Sequence, residues 1–179
     1  MNAPTEPDES SSGRVVRALI LSDTHFPARG RELPAALLER AAAADLLIHA
    51  GDLCDRPALE LLRRIGPPLH VVLGNNDREL AGELPERLTL ELAGHRIGVV
   101  HDGGPRPGRL ERLRRAFPDH EAVVFGHSHL PLHERADDGF QIFNPGSPTD
   151  RRGRWPVHTF AELEADAEGL RFRLVDLEP

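Results

Sequence analysis

The stretch ALILSDTHF, residues 18–26, decides how the fold is read. Ala18, Leu19, Ile20 and Leu21 are apolar without polar alternation, the pattern of a strand covered on both faces. The run then breaks into Ser22, Asp23, Thr24 and His25. A buried strand that ends in a carboxylate and an imidazole two residues apart raises one question. Do other strands of this chain end in the same way?

Outward from that strand, LPAALLERAAAAD (33–45) reads as a helix. Pro34 sits where a first turn tolerates it, and Leu37, Leu38 and Ala41 share a face. LLIHAGD (46–52) is a short strand ending at Gly51-Asp52. PALELLRRIG (57–66) is a second helix, with Ala58, Leu61, Leu62 and Ile65 at helical spacing and Gly66 closing it. LHVVLGNND (69–77) is a third strand running into a polar turn. This βαβαβ order implies right-handed crossovers and a parallel sheet. In the second half, residues 87–104 read as two strands around a turn at Ala93-Gly94. Residues 108–117 read as a helix with Leu110, Leu113 and Phe117 on one side. EAVVFGHSHL (121–130) is a strand ending in histidines, and residues 131–147 form a hairpin turning at Asp138-Gly139. Two closing strands follow. In the last, Leu170, Phe172 and Leu174 alternate with Arg171 and Arg173.

The 179 residues fit a single domain, 14–179, preceded by an acidic, Ser- and Pro-rich stretch, 1–13, expected to be a disordered tail. The single cysteine, Cys54, excludes an internal disulfide framework and suggests a reducing compartment. No apolar run has the length of a membrane span, and the first residues lack the apolar core of a secretory signal. A cytoplasmic protein is the expectation. The net charge of −7 argues against broad nucleic-acid binding but leaves room for a small anionic substrate beside a metal. Homo-oligomerisation is left open.

Five strand ends carry chemistry: Asp23 and His25; Asp52; Asn75, Asn76 and Asp77; His101; His127 and His129. In α/β sheets, ligands lie beyond the carboxyl ends of strands, so these side chains converge on one crevice. Carboxylates, an amide oxygen and imidazoles, without a thiolate, suit Mn, Fe, Co, Ni or Zn. Seven donors (Asp23, His25, Asp52, Asn75, His101, His127, His129) are too many for one ion, whereas two ions sharing a carboxylate account for them. Glycines precede Asp52, Asn75 and His127, so the backbone can turn sharply there.

In this order, DTH, GD, GNND, HDG and GHSH resemble the motifs of the calcineurin-like metallophosphoesterase superfamily. Chain length and the NPGS at 144–147 are most similar to its small prokaryotic phosphodiesterase branch, which includes relatives of the retromer small subunit. The resemblance implies an α/β fold: a four-layer α/β/β/α sandwich of two mixed β-sheets flanked by helices. It also implies a two-metal centre, commonly with manganese. One ion would be held by Asp23, His25, Asp52 and His129, the other by Asp52, Asn75, His101 and His127. Many members carry a histidine where this chain has Asn76, and an Asn cannot act as a general acid at neutral pH.

The expected function is hydrolysis of a small phosphate ester, most readily a diester, by a metal-bridging hydroxide without a covalent enzyme intermediate. Asn76 and Asp77 are the candidate catalytic residues, Asp77 either orienting a ligand or capping a helix. Competing expectations are a binding scaffold that kept the fold and lost the chemistry, and a phosphomonoesterase or nucleotide pyrophosphatase. His49 is read as a packed or supporting residue and Cys54 as an inert buried thiol. Arg151, Arg152 and Arg154 either meet a substrate phosphate or form a solvated loop. Asp102 either orients His101 or begins a turn.

Overall fold

The computed structural model describes residues 14–26, 32–152 and 155–177. The expected tail, 1–13, and Arg154 lie outside the described residues. In chain order, the first half holds β1 (Val16–Leu21), α1 (Ala35–Ala42), β2 (Leu46–His49), α2 (Arg56–Arg63) and β3 (Leu69–Val71). A 3-10 turn, Arg78–Leu80, leads into β4 (Arg87–Leu92) and β5 (His95–Val100). Then come α3 (Arg109–Ala116), β6 (Ala122–Phe125), β7 (Leu132–Arg135), β8 (Gln141–Asn144), β9 (His158–Asp166) and β10 (Gly169–Leu177).

The strands form two five-stranded sheets of order β10-β9-β1-β2-β3 and β4-β5-β6-β8-β7. In the first, β1, β2 and β3 are parallel, with Ala18 opposite Leu46 and Leu47 opposite Leu69. In the second, β5, β6 and β8 are parallel, while β4 and β7 pair antiparallel at the edges. Both hairpins turn where the sequence places them. Ala93 and Gly94 take positive φ between β4 and β5, and Ala136 and Phe140 pair across the Asp138-Gly139 turn.

The unalternating strands are explained by three stacked apolar layers. From β1, Ala18 and Ile20 point between the sheets, where they meet Ile48, Val99, Val124, Phe143 and Leu163. Leu19 and Leu21 point the other way, onto Leu37 and Ala41 of α1 and Leu59 and Leu62 of α2. Beyond the second sheet, Leu113 and Phe117 of the α3 region cover Val123, Phe125 and Ile142. The order of layers is therefore helix, sheet, sheet, helix. The central strands β1, β2, β6 and β8 bury both faces and show no period-2 alternation, whereas β4, β7 and β10, at the sheet edges, keep one face more exposed and alternate.

The helices are shorter than their periodicity suggests. Pro34 stands as the N-cap of α1 rather than inside its first turn, and Leu38 is only partly buried beside Leu37 and Ala41. In α2 the buried face is Ala58, Leu59 and Leu62. Leu61 and Ile65 are only partly buried, because α2 stops at Arg63 and Ile65 lies past its end. Asp55 sets the start of α2: its side chain accepts the Ala58 N–H at 2.9 Å, as an N-cap aspartate does.

Candidate metal centre

The carboxyl ends of β1, β2, β3, β5 and β6 deliver all seven candidate donors to one place. Asp23, His25 and His129 form a buried group. His25 Nε2 lies 3.2 Å from His129 Nε2, and His129 Nε2 lies 3.4 Å from Asp23 Oδ1. Asn75, His101 and His127 form a second group. Asn75 Oδ1 is 3.1 Å from His101 Nε2 and 2.9 Å from His127 Nδ1. Asp52 stands between them. Its Oδ2 is 3.6 Å from His25 Nε2, and its Oδ1 is 3.5 Å from His101 Nε2. The first group is enclosed, whereas Asn75 and His127 face solvent.

The backbone is bent to achieve this convergence. Among the described residues, seven non-glycine positions have positive φ, and five are candidate donors: Asp23, His25, Asp52, His127 and His129. A sixth is Cys54, and only Ala93 lies elsewhere, in its hairpin turn. Each such residue costs about 1–3 kcal/mol and persists only where the surroundings over-determine it. The preceding glycines are needed for close approach. A Cβ on Gly126 would lie 1.8 Å from Ser22 Oγ and 2.9 Å from Asp23 Oδ2. A Cβ on Gly74 would lie 2.2 Å from Asp52 Oδ1.

Three of the four imidazoles are aimed by a bond on the far ring nitrogen. His101 Nδ1 pairs with the Ala50 carbonyl at 2.7 Å, His129 Nδ1 with the Asp150 carbonyl, and His25 Nδ1 with Cys54 Sγ at 3.3 Å. Each leaves Nε2 turned to the cluster, the outer arrangement that metal-binding histidines use. His127 presents Nδ1 instead.

Of the two candidate catalytic residues, only Asn76 faces the cluster. Its backbone N–H donates to Asp52 Oδ1 at 2.8 Å and its side-chain amide to Asp52 Oδ2 at 2.6 Å. Asp77 is fully buried and faces away. Its carboxylate accepts the backbone N–H groups of Asp52 (2.9 Å), Cys54 (2.7 Å) and Gly74 (2.7 Å). It makes no side-chain capping bond to the 3-10 turn that follows. Asp77 is thus a positioning residue that ties the β2 and β3 loops together. Cys54 is half-buried against His25 rather than buried as expected, because the bend at residues 52–54 turns it toward the centre. His49 fulfils its supporting reading: Nδ1 accepts the Gly51 N–H at 3.1 Å, leaving Nε2–H for Thr24 Oγ1 at 3.1 Å. Asp102 accepts the Gly104 N–H at 2.7 Å and so begins a turn. Arg151 and Arg152 are exposed.

Sequence reading passed over residues 144–150 as a supporting loop. Asn144 Nδ2 donates to the Gly126 carbonyl at 2.8 Å. Ser147 Oγ donates to the Asp23 carbonyl at 2.7 Å, and Thr149 Oγ1 donates to the Thr24 carbonyl. The available signal was NPGSPTD itself, a run of short hydrogen-bonding residues directly after a buried strand.

Charge in the cluster is unbalanced without a cation. Burial drives Asp23 up to about 7, against the pull of the His101 charge and the Ser22 hydroxyl bond. Burial also pushes Asp52 up, but the bonds and charge of His101 and the Asn76 donors hold it well below the usual carboxylate range. His101 would fall by burial, yet Asp52 and Asp23 raise it to about 9. Burial lowers His129 to about 4 and His49 to about 3, so both are neutral at pH 7. The metal-free cluster therefore keeps protons on Asp23 and His101 where a cation would otherwise stand. The donor set, the aimed lone pairs and the glycine cradle all fit divalent metal.

Two outcomes follow. Raising pH deprotonates Asp23 toward 7 and His101 toward 9, and both losses destabilise the metal-free fold. Metal must displace the same protons, so calorimetry at pH 6 in buffers of different ionisation enthalpy should record proton release on metal binding, with affinity rising as pH increases. A pH-independent affinity without proton release would contradict the cluster's charge state. Separately, Gly126→Ala should cost about 1–3 kcal/mol in urea unfolding by overpacking and weaken metal uptake. An unchanged unfolding midpoint with full uptake would refute the cradle.

The calcineurin-like phosphoesterase superfamily domain matches residues 16–168. A probable metallophosphoesterase of Methanothermobacter thermautotrophicus is 33% identical over 158 residues, covering 87% of this chain and 90% of the relative. A probable metallophosphoesterase of Methanocaldococcus jannaschii is 33% identical over 162 residues, covering 89% and 80%. Among solved structures, Vps29 of Entamoeba histolytica complexed with zinc superposes with a TM-score of 0.69 at 25% identity, covering 90% of this chain and 99% of that one. With the matching domain spanning nearly all of the described fold and the donors gathered at its strand ends, the chain belongs to the calcineurin-like phosphoesterase superfamily.

Proposed function

We propose that this chain is a two-metal phosphodiesterase acting on a small phosphate ester. The observation that carries this reading is the placement of Asp52, whose two oxygens face two separate donor groups. Asp23, His25, His129 and Asp52 would hold one ion; Asp52, Asn75, His101 and His127 would hold the other. Manganese is the proposed metal, and the mixed oxygen and nitrogen donors equally accept iron, cobalt, nickel or zinc. The zinc carried by the related Vps29 structure supports a divalent ion of this kind.

When bound, such ions neutralise phosphoryl oxygens and lower the pKa of water toward neutrality. The chain does the rest. Ser22 and the His127 N–H, at 2.5 and 2.9 Å from Asp23 Oδ2, fix that carboxylate. Asn76 and Asp77 fix Asp52 from its side chain and its backbone. In hydrolysis, the oxygen of water bonds to phosphorus as the bond to one alcohol oxygen breaks; one water proton stays on the new phosphate oxygen or passes to solvent, and the other reaches the leaving oxygen through solvent or, where that oxygen is a stable anion, stays in solvent. Asn76 offers the leaving oxygen no acidic proton. This favours diesters with stable leaving groups over monoesters with poor ones. A fold kept only as a scaffold has no use for five strained donors, and the retained strain supports chemistry. No helix among the described residues is long and apolar enough to cross a membrane. A cytoplasmic location is part of the proposal.

The test is hydrolysis of bis(p-nitrophenyl) phosphate with manganese. Wild type should turn over, chelated protein should not, and p-nitrophenyl phosphate should be the poorer substrate. Changes in outer-shell partners cost roughly 10–100-fold, so Asp52→Asn, which alters the shared ligand itself, should cost more than about 100-fold. Absence of turnover in protein shown to hold metal would overturn the reading. So would an active Asp52→Asn.

A further inference from the structure

β5 runs from His95 to Val100, so His95 stands a strand's length from the end that carries His101, roughly 17 Å at the usual rise of a strand. At that far end its ring spans the two sheets. Nδ1 lies 2.8 Å from Oε2 of Glu121, the residue that leads into β6 of the second sheet. Nε2 lies 2.7 Å from the carbonyl oxygen of Asp166, which closes β9 of the first sheet. A carbonyl and an ionised carboxylate can only accept hydrogen bonds. A neutral imidazole has one N–H and one lone pair, so it would turn the lone pair on one of these oxygens. An imidazolium donates to both.

The other charged groups around the ring largely cancel. Asp166 gives its carboxylate to Arg171, 2.6 Å from Nη2, and its carbonyl to His95. Across the cavity of about 550 Å³ that His95 lines, Arg114 is paired with Asp138, while Arg135 and Glu168 bring one charge of each sign. His120 lines the same cavity and is lowered by burial and by Arg96, so it is uncharged at pH 7. Arg96, next on β5, faces Asp119 at 3.9 Å. The bond to Glu121 therefore dominates, and with the Asp166 carbonyl it holds His95 above the usual imidazole range against the opposing effect of burial. We infer that His95 is a proton-dependent fastening between the two sheets: protonated, it clamps Glu121 and the Asp166 carbonyl together; deprotonated, it keeps the Asp166 bond through Nε2–H, without the added strength of charge, and releases Glu121. Glu121 is the partner that lets go, because its side chain is 55% exposed and water can take its place. The folded chain binds this proton more tightly than the unfolded chain. The stabilisation is complete below the unfolded value of about 6.5 and fades as pH rises through the higher folded value.

The test reads the ring directly, in the full chain with zinc supplied. Long-range proton–nitrogen correlation spectra should show both ring nitrogens of His95 protonated at pH 6, a titration midpoint above about 6.5, and the Nε2–H tautomer beyond it. Glu121→Gln removes the charge and keeps the size, and the His95 midpoint in that variant should fall relative to wild type. In urea unfolding, the stability lead of wild type over Glu121→Gln should be widest at pH 6 and narrow by pH 9. The metal centre lies a strand's length away, so its own titration is common to both proteins and cancels in the difference. A wild-type midpoint at or below about 6.5 overturns the fastening. So does an equal midpoint in Glu121→Gln, or a stability lead that stays constant from pH 6 to pH 9.

Discussion

Two carboxylates, Asp23 and Asp52, are buried with four imidazoles close by, and neither forms an ion pair with an arginine or lysine among the described residues. Removing a carboxylate from water without a partner charge costs several kcal/mol. The described chain meets that cost only partly, through hydrogen bonds from Ser22, Asn76 and the His127 N–H and through protons held by Asp23 and His101. Divalent cations are the counter-charge that this donor geometry fits. The loop bends, the glycines and the polar supports around the cluster are intelligible as means of holding these groups together.

The sandwich makes that possible by covering both faces of its central strands. With β1, β2, β3, β5 and β6 locked in apolar layers, their carboxyl ends become rigid mounts. The five donors with positive φ are held there against their own preference. Asp77 and the 144–150 loop bind the backbones of the donor loops to one another. Displacement of one loop is therefore resisted by its neighbours. Asp77 never faces the cluster yet fixes the loop that carries Asp52.

Much of this was legible in the residues. Apolar runs with no alternation marked buried strands, and their polar endings marked one crevice. Glycines before three donors marked close approach, which Gly74 and Gly126 bear out with almost no room for a Cβ. Other features had no local signal. The helix face of α2 rotated to Leu59, because the neighbouring sheet and the Asp55 cap choose the buried stripe, not spacing alone. Asp77 read equally as a cap or a support, since both need the same carboxylate in the same place. Cys54 turned toward His25 because of a backbone bend that no residue type announces. The 144–150 loop contributes through contacts more than a hundred residues away in sequence, Ser147 to Asp23 among them.

The most direct test of the account is anomalous diffraction from crystals of manganese-loaded protein, collected on both sides of the metal edge. The account predicts two anomalous peaks per chain, one on each side of the Asp52 carboxylate, within the groups of Asp23, His25 and His129 and of Asn75, His101 and His127. A single peak, or peaks away from Asp52 in crystals grown with excess metal, would contradict it.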